Sequence, residues 1–180
     1  MDFANTKKAL ATIGTEIVRN MRLNLGAVRK RKSYRSTWKG NKPTSTKIKY
    51  RKSNSIASGK LWKSIKSRVT KNMTIEISQL SYGTYIEKGR RGKAKIPPSK
   101  EIARWTKMKK IPVRDLETGK FKKTSKIAKS GQSFVIARSI AWYGIEAYPY
   151  QAMAVKKVIE KERGNLITAL KKDIQDGIND

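Results

Sequence analysis

A small β element between helical segments is encoded by residues 59–89, whose sequence is GKLWKSIKSRVTKNMTIEISQLSYGTYIEKG. Apolar and polar residues alternate from 73 to 79, which is the pattern of a strand with one buried face. Residues 66–70 precede this strand, and the two segments are separated by a Lys-Asn pair that favours a turn. The sequence therefore predicts an antiparallel hairpin with a short helical segment on each side.

Helical periodicity surrounds this predicted hairpin. Residues 3–27 and about 151–177 predict two long amphipathic helices, and shorter helices are predicted over about 99–110 and 131–143. Gly144 is a typical helix stop. The predicted fold class is α+β: a small antiparallel β element packed by several helices, with long N- and C-terminal helices and an extended basic arm.

Composition divides the chain into three successive parts. Residues 1–27 are the predicted N-terminal helix, residues 28–57 the basic arm, and residues 58–180 the α+β core with a helical insertion at about 96–130. The arm lacks a helical or strand period and is punctuated by Ser, Thr, Asn, Gly and Pro. We therefore expect an extended arm or loop there, with room for a short hairpin around Gly40–Pro43.

The charge of the chain is large and unevenly distributed. The 180 residues include 43 Lys and Arg but 13 Asp and Glu, a formal net charge of +30. No acidic residue occurs between Glu16 and Glu76, whereas the last predicted helix mixes both signs. Such a charge opposes folding by self-repulsion and attracts polyanions, so the arm is the expected contact surface.

Basic and aromatic residues interleave in the arm, which is typical of surfaces that bind nucleic acid. Cations bind phosphates without regard to sequence, while exposed aromatic rings stack on bases or pack on a partner. Two plainer interpretations stay open: the lysines serve solubility alone, or Trp38 and Tyr50 anchor the arm to its own core. The candidate residues for contact with a polyanion or an acidic protein surface are Arg29, Lys30, Arg31, Lys32, Arg35, Trp38, Lys39, Lys47, Lys49, Tyr50, Arg51 and Lys52.

Residue types that support most catalysis and metal binding are scarce. The chain has no His and no Cys, which excludes Ser-His-Asp and Cys-His sites, thiolate zinc sites and disulfides. The carboxylates of the central region are scattered rather than paired. We therefore predict a protein that is not an enzyme, with no metal and no cofactor.

The sequence also predicts a soluble protein of a reducing compartment. No apolar run approaches the ~18 residues that a membrane-spanning helix needs. The first residues lack the order of basic start, apolar block and small-residue cleavage site of a signal peptide. We expect no contact with a membrane.

Four segments resemble, in their order, motifs of the HK97-type neck and tail-completion proteins of tailed bacteriophages. Residues 59–65 (GKLWKSI) are similar to G-x-L-x-x-S-I, and residues 82–89 (YGTYIEKG) to Y-A-x-Y-I/V-E-x-G. Residues 96–105 (IPPSKEIARW) are similar to P-P-x-x-x-I-x-x-W of the longer members. Residues 134–150 (FVIARSIAWYGIEAYPY) resemble A-x-x-I-A-R-x-I-x-x-x-G-I-x-x-x-P-F/Y, and the resemblance covers roughly residues 56–175.

This resemblance implies a structural role in a virion. Proteins of the family form a ring at the junction of portal and tail, as head-tail connectors, tail-completion proteins or tail terminators, and the DNA passes through this ring on ejection. For this chain it implies a homo-oligomeric ring at the neck, assembled in the host cytoplasm. The implied partners are portal, adaptor and tail proteins with acidic surfaces, and double-stranded DNA contacted non-specifically through its phosphates.

The resemblance further implies packing or intersubunit roles for the motif residues. Tyr82, Tyr85 and Trp105 are expected in the core, and Gly89 is expected at a turn with positive φ. The complete set of motif residues is Leu61, Ile65, Tyr82, Tyr85, Glu87, Gly89, Pro97, Pro98, Trp105, Arg138, Gly144 and Pro149.

Two other functions remain to be distinguished from this one. The arm is longer and more basic than the family motifs require, so the chain is alternatively a sequence-non-specific nucleic-acid-binding protein. A steep salt dependence of binding would mark that function. An enzyme such as a nuclease would instead lose a metal-dependent activity on alanine substitution of Glu76, Glu87 or Glu101.

Overall fold

The structure is a computed structural model that describes residues 3–39, 42–55, 59–112 and 126–179. The described residues form helices and two separate two-stranded antiparallel sheets, which confirms the α+β class. In chain order the elements are α1 (Ala4–Gly26), β1 (Arg29–Lys39), β2 (Lys42–Ser53), α2 (Lys60–Ser64), β3 (Lys66–Val69), β4 (Ile75–Ser78), α3 (Gly83–Lys88), α4 (Ser99–Met108), α5 (Lys126–Tyr143) and α6 (Tyr150–Asn179).

The chain folds into two compact units, each assembled from discontinuous segments. The first, here called the helical unit, comprises Met1–Ala27, Asn54–Glu87 and Tyr148–Asp180. The second, the basic unit, comprises Val28–Ser53 and Lys88–Ala147. The chain therefore alternates between the units, whereas composition predicted three successive parts; of the predicted insertion, residues 113–125 lie outside the described part.

In the helical unit, α1 and α6 run antiparallel. Asn24 Nδ2 donates a hydrogen bond to the Tyr150 carbonyl oxygen at one end, and Asn5 and Thr6 donate to the Asp173 carboxylate at the other. Burial of one large apolar side chain contributes about 1.5–3 kcal/mol, so the apolar cluster of this unit stabilises it most. The buried members are Ile13, Ile17, Val18, Met21, Leu25, Leu61, Ile65, Tyr150, Ala154 and Val158.

The predicted hairpin of the helical unit is confirmed. β3 and β4 pair antiparallel, from Lys66 opposite Ser78 to Val69 opposite Ile75. Alternate residues along both strands are half-buried and exposed, as the period of two requires. We call this pair the core hairpin.

Three aromatic residues that were expected in the core are exposed, and that prediction was wrong. Tyr82, Tyr85 and Trp105 retain 41%, 65% and 38% of their accessible surface. On α4 the buried residue is Thr106, so the helix packs through a face next to the predicted one. On α3 the buried residue is Gly83, and Tyr85, about 200° further round the helix, points away from it.

The predicted arm is extended, and the strand pairing expected around Gly40–Pro43 is confirmed; the pairing continues along the whole arm, which corrects its predicted length. β1 and β2 pair antiparallel from Arg29 opposite Ser53 to Lys39 opposite Lys42. Alternation of apolar and polar residues did not predict these two strands, because neither face of the hairpin is uniformly apolar. The pairing is therefore held by backbone hydrogen bonds rather than by a buried side-chain row. We call β1 and β2 together the basic hairpin.

Two glycines permit a tight backbone crossing in the basic unit. Gly89 and Gly144 have φ of +72° and +75°, and the predicted turn at Gly89 is confirmed. Next to them, the backbone amides of Arg90 and Ile145 each donate to the other's carbonyl oxygen, at 2.9 and 2.8 Å. A Cβ at Gly89 would lie 2.5 Å from the Ile145 oxygen, so a side chain is excluded by space as well as by conformation.

Candidate nucleic-acid interface

The basic hairpin brings all twelve candidate arm residues onto two paired strands. At about 3.3 Å per residue, the 11-residue β1 is about 36 Å long. That length is close to one turn of B-DNA, and a two-stranded ribbon is narrow enough to enter the major groove. The side chains of Arg35 and Trp38 lie outside the described part of the structure.

Like charges face each other across this hairpin. The register places Lys30 opposite Lys52, Arg31 opposite Arg51, Arg35 opposite Lys47 and Lys39 opposite Lys42. Directly opposed like charges destabilise a strand pair. Binding of an anion between or along these pairs would remove that repulsion, so the register favours a polyanion as the ligand of the hairpin.

The two faces of the basic hairpin differ in composition. Up to the register shift between Thr37 and Trp38, even-numbered residues share one face and odd-numbered residues the other. The odd-numbered face contains only basic and hydroxyl side chains. Its basic residues are Arg29, Arg31, Arg35, Lys47, Lys49 and Arg51.

The even-numbered face anchors the hairpin to α5. The rings of Tyr34 and Tyr143 stack with centroids 4.2 Å apart and an interplanar angle of 7°. The Tyr143 hydroxyl also forms hydrogen bonds of 2.6 Å with both Ser36 and Thr46. Tyr143 thus anchors the hairpin, and no sequence signal distinguishes it from the other tyrosines.

Tyr50 does not anchor the hairpin. Its side chain is 65% exposed, and that of the neighbouring Ile48 is 55% exposed. The open alternative that Tyr50 packs on the core of its own chain is therefore wrong. An exposed tyrosine among cations remains available for stacking or for packing on a partner.

The positive field extends from the hairpin to α4. Partial burial and the nearby charge of Arg31 both lower the pKa of the Lys109 ammonium. The contribution of Arg31 places a cation of the basic hairpin near Lys109, at the C-cap of α4. An anion bound there would raise the pKa of Lys109 again.

The motif residues of the helical unit act as caps and packing groups. The Glu87 carboxylate accepts hydrogen bonds from the backbone amides of Gln151 at 2.9 Å and Ala152 at 3.1 Å, in the first turn of α6. Burial, followed by the charge of Glu87, raises the pKa of Tyr150 to about 12, and its hydroxyl donates to the Gln79 side chain. Leu61 and Ile65 are buried as predicted.

Motif residues of the remaining segments lie at element ends or on helix faces. Pro97 and Pro98 precede α4, with Pro98 at its N-cap, and Pro149 precedes α6 with its carbonyl oxygen accepting from Met153. The Arg138 guanidinium lies 5.7 Å from the ring centroid of Phe134 within α5. These contacts are structural in character.

Within the described ranges, the structure contains no group of three or more Asp or Glu residues placed to hold a metal ion. None of the described helices is long and apolar enough to cross a membrane.

Comparisons with known proteins return no match: no family model, no curated protein and no solved structure is significantly similar to this chain.

Proposed function

We propose that this chain is a structural subunit of the neck of a tailed bacteriophage. In this proposal its copies form a ring that joins the portal to the tail around the DNA channel. The observation that carries the proposal is the role of the motif residues. Glu87 of one motif caps the first turn of α6, directly after Pro149 of another motif. Gly89 and Gly144 of the same two motifs permit the backbone crossing between Arg90 and Ile145. Motif residues that cap a helix or permit a backbone crossing are expected in a family whose members share a structural scaffold.

The charge distribution supports a position beside DNA. The basic hairpin contains 11 basic and no acidic residues between Arg29 and Ser53. A ring of such subunits multiplies that charge around its axis, and the genome or acidic neighbouring proteins would neutralise it. Assembly of the ring is therefore expected to depend on salt.

Peptide mass spectrometry of gradient-purified bacteriophage particles that encode this chain tests the proposal. The particles are treated with nuclease and washed in high salt, so that a basic protein adsorbed to released DNA is removed. We expect this chain in a copy number comparable to that of the portal protein. Abundance in infected cells together with absence from washed particles would contradict the proposal.

The second candidate function is sequence-non-specific nucleic-acid binding outside a virion. The opposed like charges of the basic hairpin favour it, because they disfavour the hairpin until an anion binds. It leaves the order of the four motifs without an explanation. The two functions are separated by the particle composition, since both predict DNA binding by the hairpin.

A further inference from the structure

The C-terminal half of α6 presents an apolar stripe to solvent. Ile167, Leu170, Ile174 and Ile178 recur at spacings of three and four, which places them along one side of the helix. Ile174 is 41% exposed and Ile178 is 72% exposed. The buried residues of α6 lie on another side of the helix, so the stripe is left uncovered within the described part of the chain. These buried residues are Tyr150, Ala154, Val158, Glu162 and Asp173.

A second exposed apolar patch lies at the other end of the helical unit. It consists of Leu80, Tyr82 and Tyr85, which follow the core hairpin and enter α3. The preceding residue, Gln79, accepts the hydrogen bond of the Tyr150 hydroxyl at the first residue of α6. The stripe begins at Ile167, so the two apolar surfaces lie roughly 25–40 Å apart along α6 at 1.5 Å per residue.

The net charge of each unit indicates which kind of partner can bind the α6 stripe and the Leu80–Tyr85 patch. The helical unit contains 15 basic and nine acidic residues, a net charge of +6. The basic unit contains 28 basic and four acidic residues, a net charge of +24. Two copies of this chain repel least where their helical units meet, and both apolar surfaces belong to that unit. Nucleic acid would select the other unit.

We propose that the helical unit is a head-to-tail assembly module: the α6 stripe of one copy docks on the Leu80–Tyr85 patch of the next. This inference deepens the proposed ring function and rests on it. Contacts between two different surfaces at opposite ends of one unit are heterologous, and heterologous contacts generate rings or filaments. A stripe that paired with itself would instead stop at a dimer and leave the tyrosine patch exposed.

Sedimentation velocity of the full chain tests the pairing. The protein is freed of nucleic acid with nuclease and measured above physiological salt, where the Debye length falls below ~8 Å and repulsion between copies is screened. The stripe variant carries Ile174→Gln and Ile178→Gln, and the patch variant carries Leu80→Gln and Tyr85→Gln. We expect the unmodified chain to assemble and each variant to lose at least about tenfold in association.

Mixing the two variants gives the decisive result. The stripe variant keeps its patch and the patch variant keeps its stripe, so the mixture has one intact interface and must stop at heterodimers. Heterodimers therefore support head-to-tail docking. A monomeric unmodified chain, a mixture that stays monomeric, or variants that assemble as well as the unmodified chain would each overturn it.

A matched control separates docking from general apolar exposure. Ile48→Gln and Ile96→Gln replace two exposed isoleucines of the basic unit that are not among the candidate contact residues, and this variant is expected to assemble normally. Circular dichroism checks folding, which glutamine on an exposed helix face preserves. Presence of the chain in particles with unimpaired assembly of the stripe variant would reject the docking surfaces and leave the proposed function intact.

Discussion

The helical unit and the basic unit are held together by different forces. Of the apolar side chains buried in the described residues, the helical unit holds all but Ala137 and Ala141. The basic unit relies instead on a strand ladder, a tyrosine stack and a glycine crossing. Because the basic unit has a net charge of +24, its basic residues repel one another, and a bound anion would reduce this repulsion. The difference teaches that the buried apolar surface and most of the net positive charge lie in separate parts of this chain.

The largest expected difference between the units is in the free energy of unfolding that is lost when an isoleucine of each unit is replaced by alanine. Ile65→Ala removes a side chain with no exposed surface and should lower the free energy of unfolding by about 2–5 kcal/mol. Ile48→Ala removes an exposed isoleucine of the basic hairpin and should cost less than about 1 kcal/mol. Urea denaturation followed by circular dichroism measures both. Equal losses would show that the hairpin isoleucine is buried in the molecule as it exists in solution.

Removing the three positive charges that β2 contributes to the odd-numbered face of the basic hairpin tests the difference in charge between the two units. Lys47→Gln, Lys49→Gln and Arg51→Gln together should weaken binding of double-stranded DNA by about 10²–10³-fold near 0.1 M salt. The slope of log K against log salt should fall by about 2.7 in magnitude, since each lost phosphate contact removes about 0.9. Fluorescence anisotropy over a salt series measures both quantities.

Three lysines of the helical unit provide the matched control. Lys156→Gln, Lys157→Gln and Lys161→Gln remove the same charge from α6 and should leave the DNA affinity within a few-fold of its starting value. An equal loss of affinity in both variants would mean that net charge, rather than the hairpin, binds DNA. That result would remove the functional distinction between the units.

A smaller effect is expected from pH on the stability of the helical unit. Burial of the Asp173 carboxyl opposes its ionisation, but hydrogen bonds from Thr6 and Asn5 outweigh this and lower its pKa from 3.8 to about 2. The folded state therefore binds this proton less readily than the unfolded state, and the stabilisation is complete above pH 3.8. It is lost as the pH falls through about 2.

Thermal unfolding between pH 5 and pH 2 measures this contribution. The melting temperature of Asp173→Asn should change less over this range than that of the unmodified chain, because asparagine does not titrate. Parallel pH profiles of the two proteins would show that Asp173 contributes nothing to acid sensitivity.

The sequence predicted the strands and helices in which apolar residues recur at regular spacing and form one buried face. The core hairpin was predicted because Ile75 and Ile77 alternate with polar residues, and α1 and α6 because their apolar residues recur at helical spacing. The basic hairpin was predicted only as a short hairpin around Gly40–Pro43. Its contact with α5 was not predicted, because Tyr143 is about a hundred residues away from Ser36 in the sequence. A contact of that range leaves no local pattern.

The candidate site was predicted in its residues but not in its geometry. A run of cations predicts a segment that contacts a polyanion, whereas the opposition of Arg31 to Arg51 depends on the register of pairing. The exposure of Tyr85 also escaped prediction. Helical spacing places it on a face with Tyr82, but the side of α3 that is buried is decided by Gly83 packing against Tyr150 and Gln79.

The cap that Asp173 places on the start of α1 has a consequence for the order of folding. Asn5 and Asp173 are separated by 168 residues in the sequence, so this contact closes a very long loop. Contacts of such separation slow folding, because loop entropy must be lost before they form. Strand pairs with short connections close sooner, and both hairpins fall between Asn5 and Asp173. Folding of this chain is therefore expected to begin at the core hairpin, where Arg68 lies opposite Glu76 rather than opposite a like charge, with the docking of α6 on α1 as a late step.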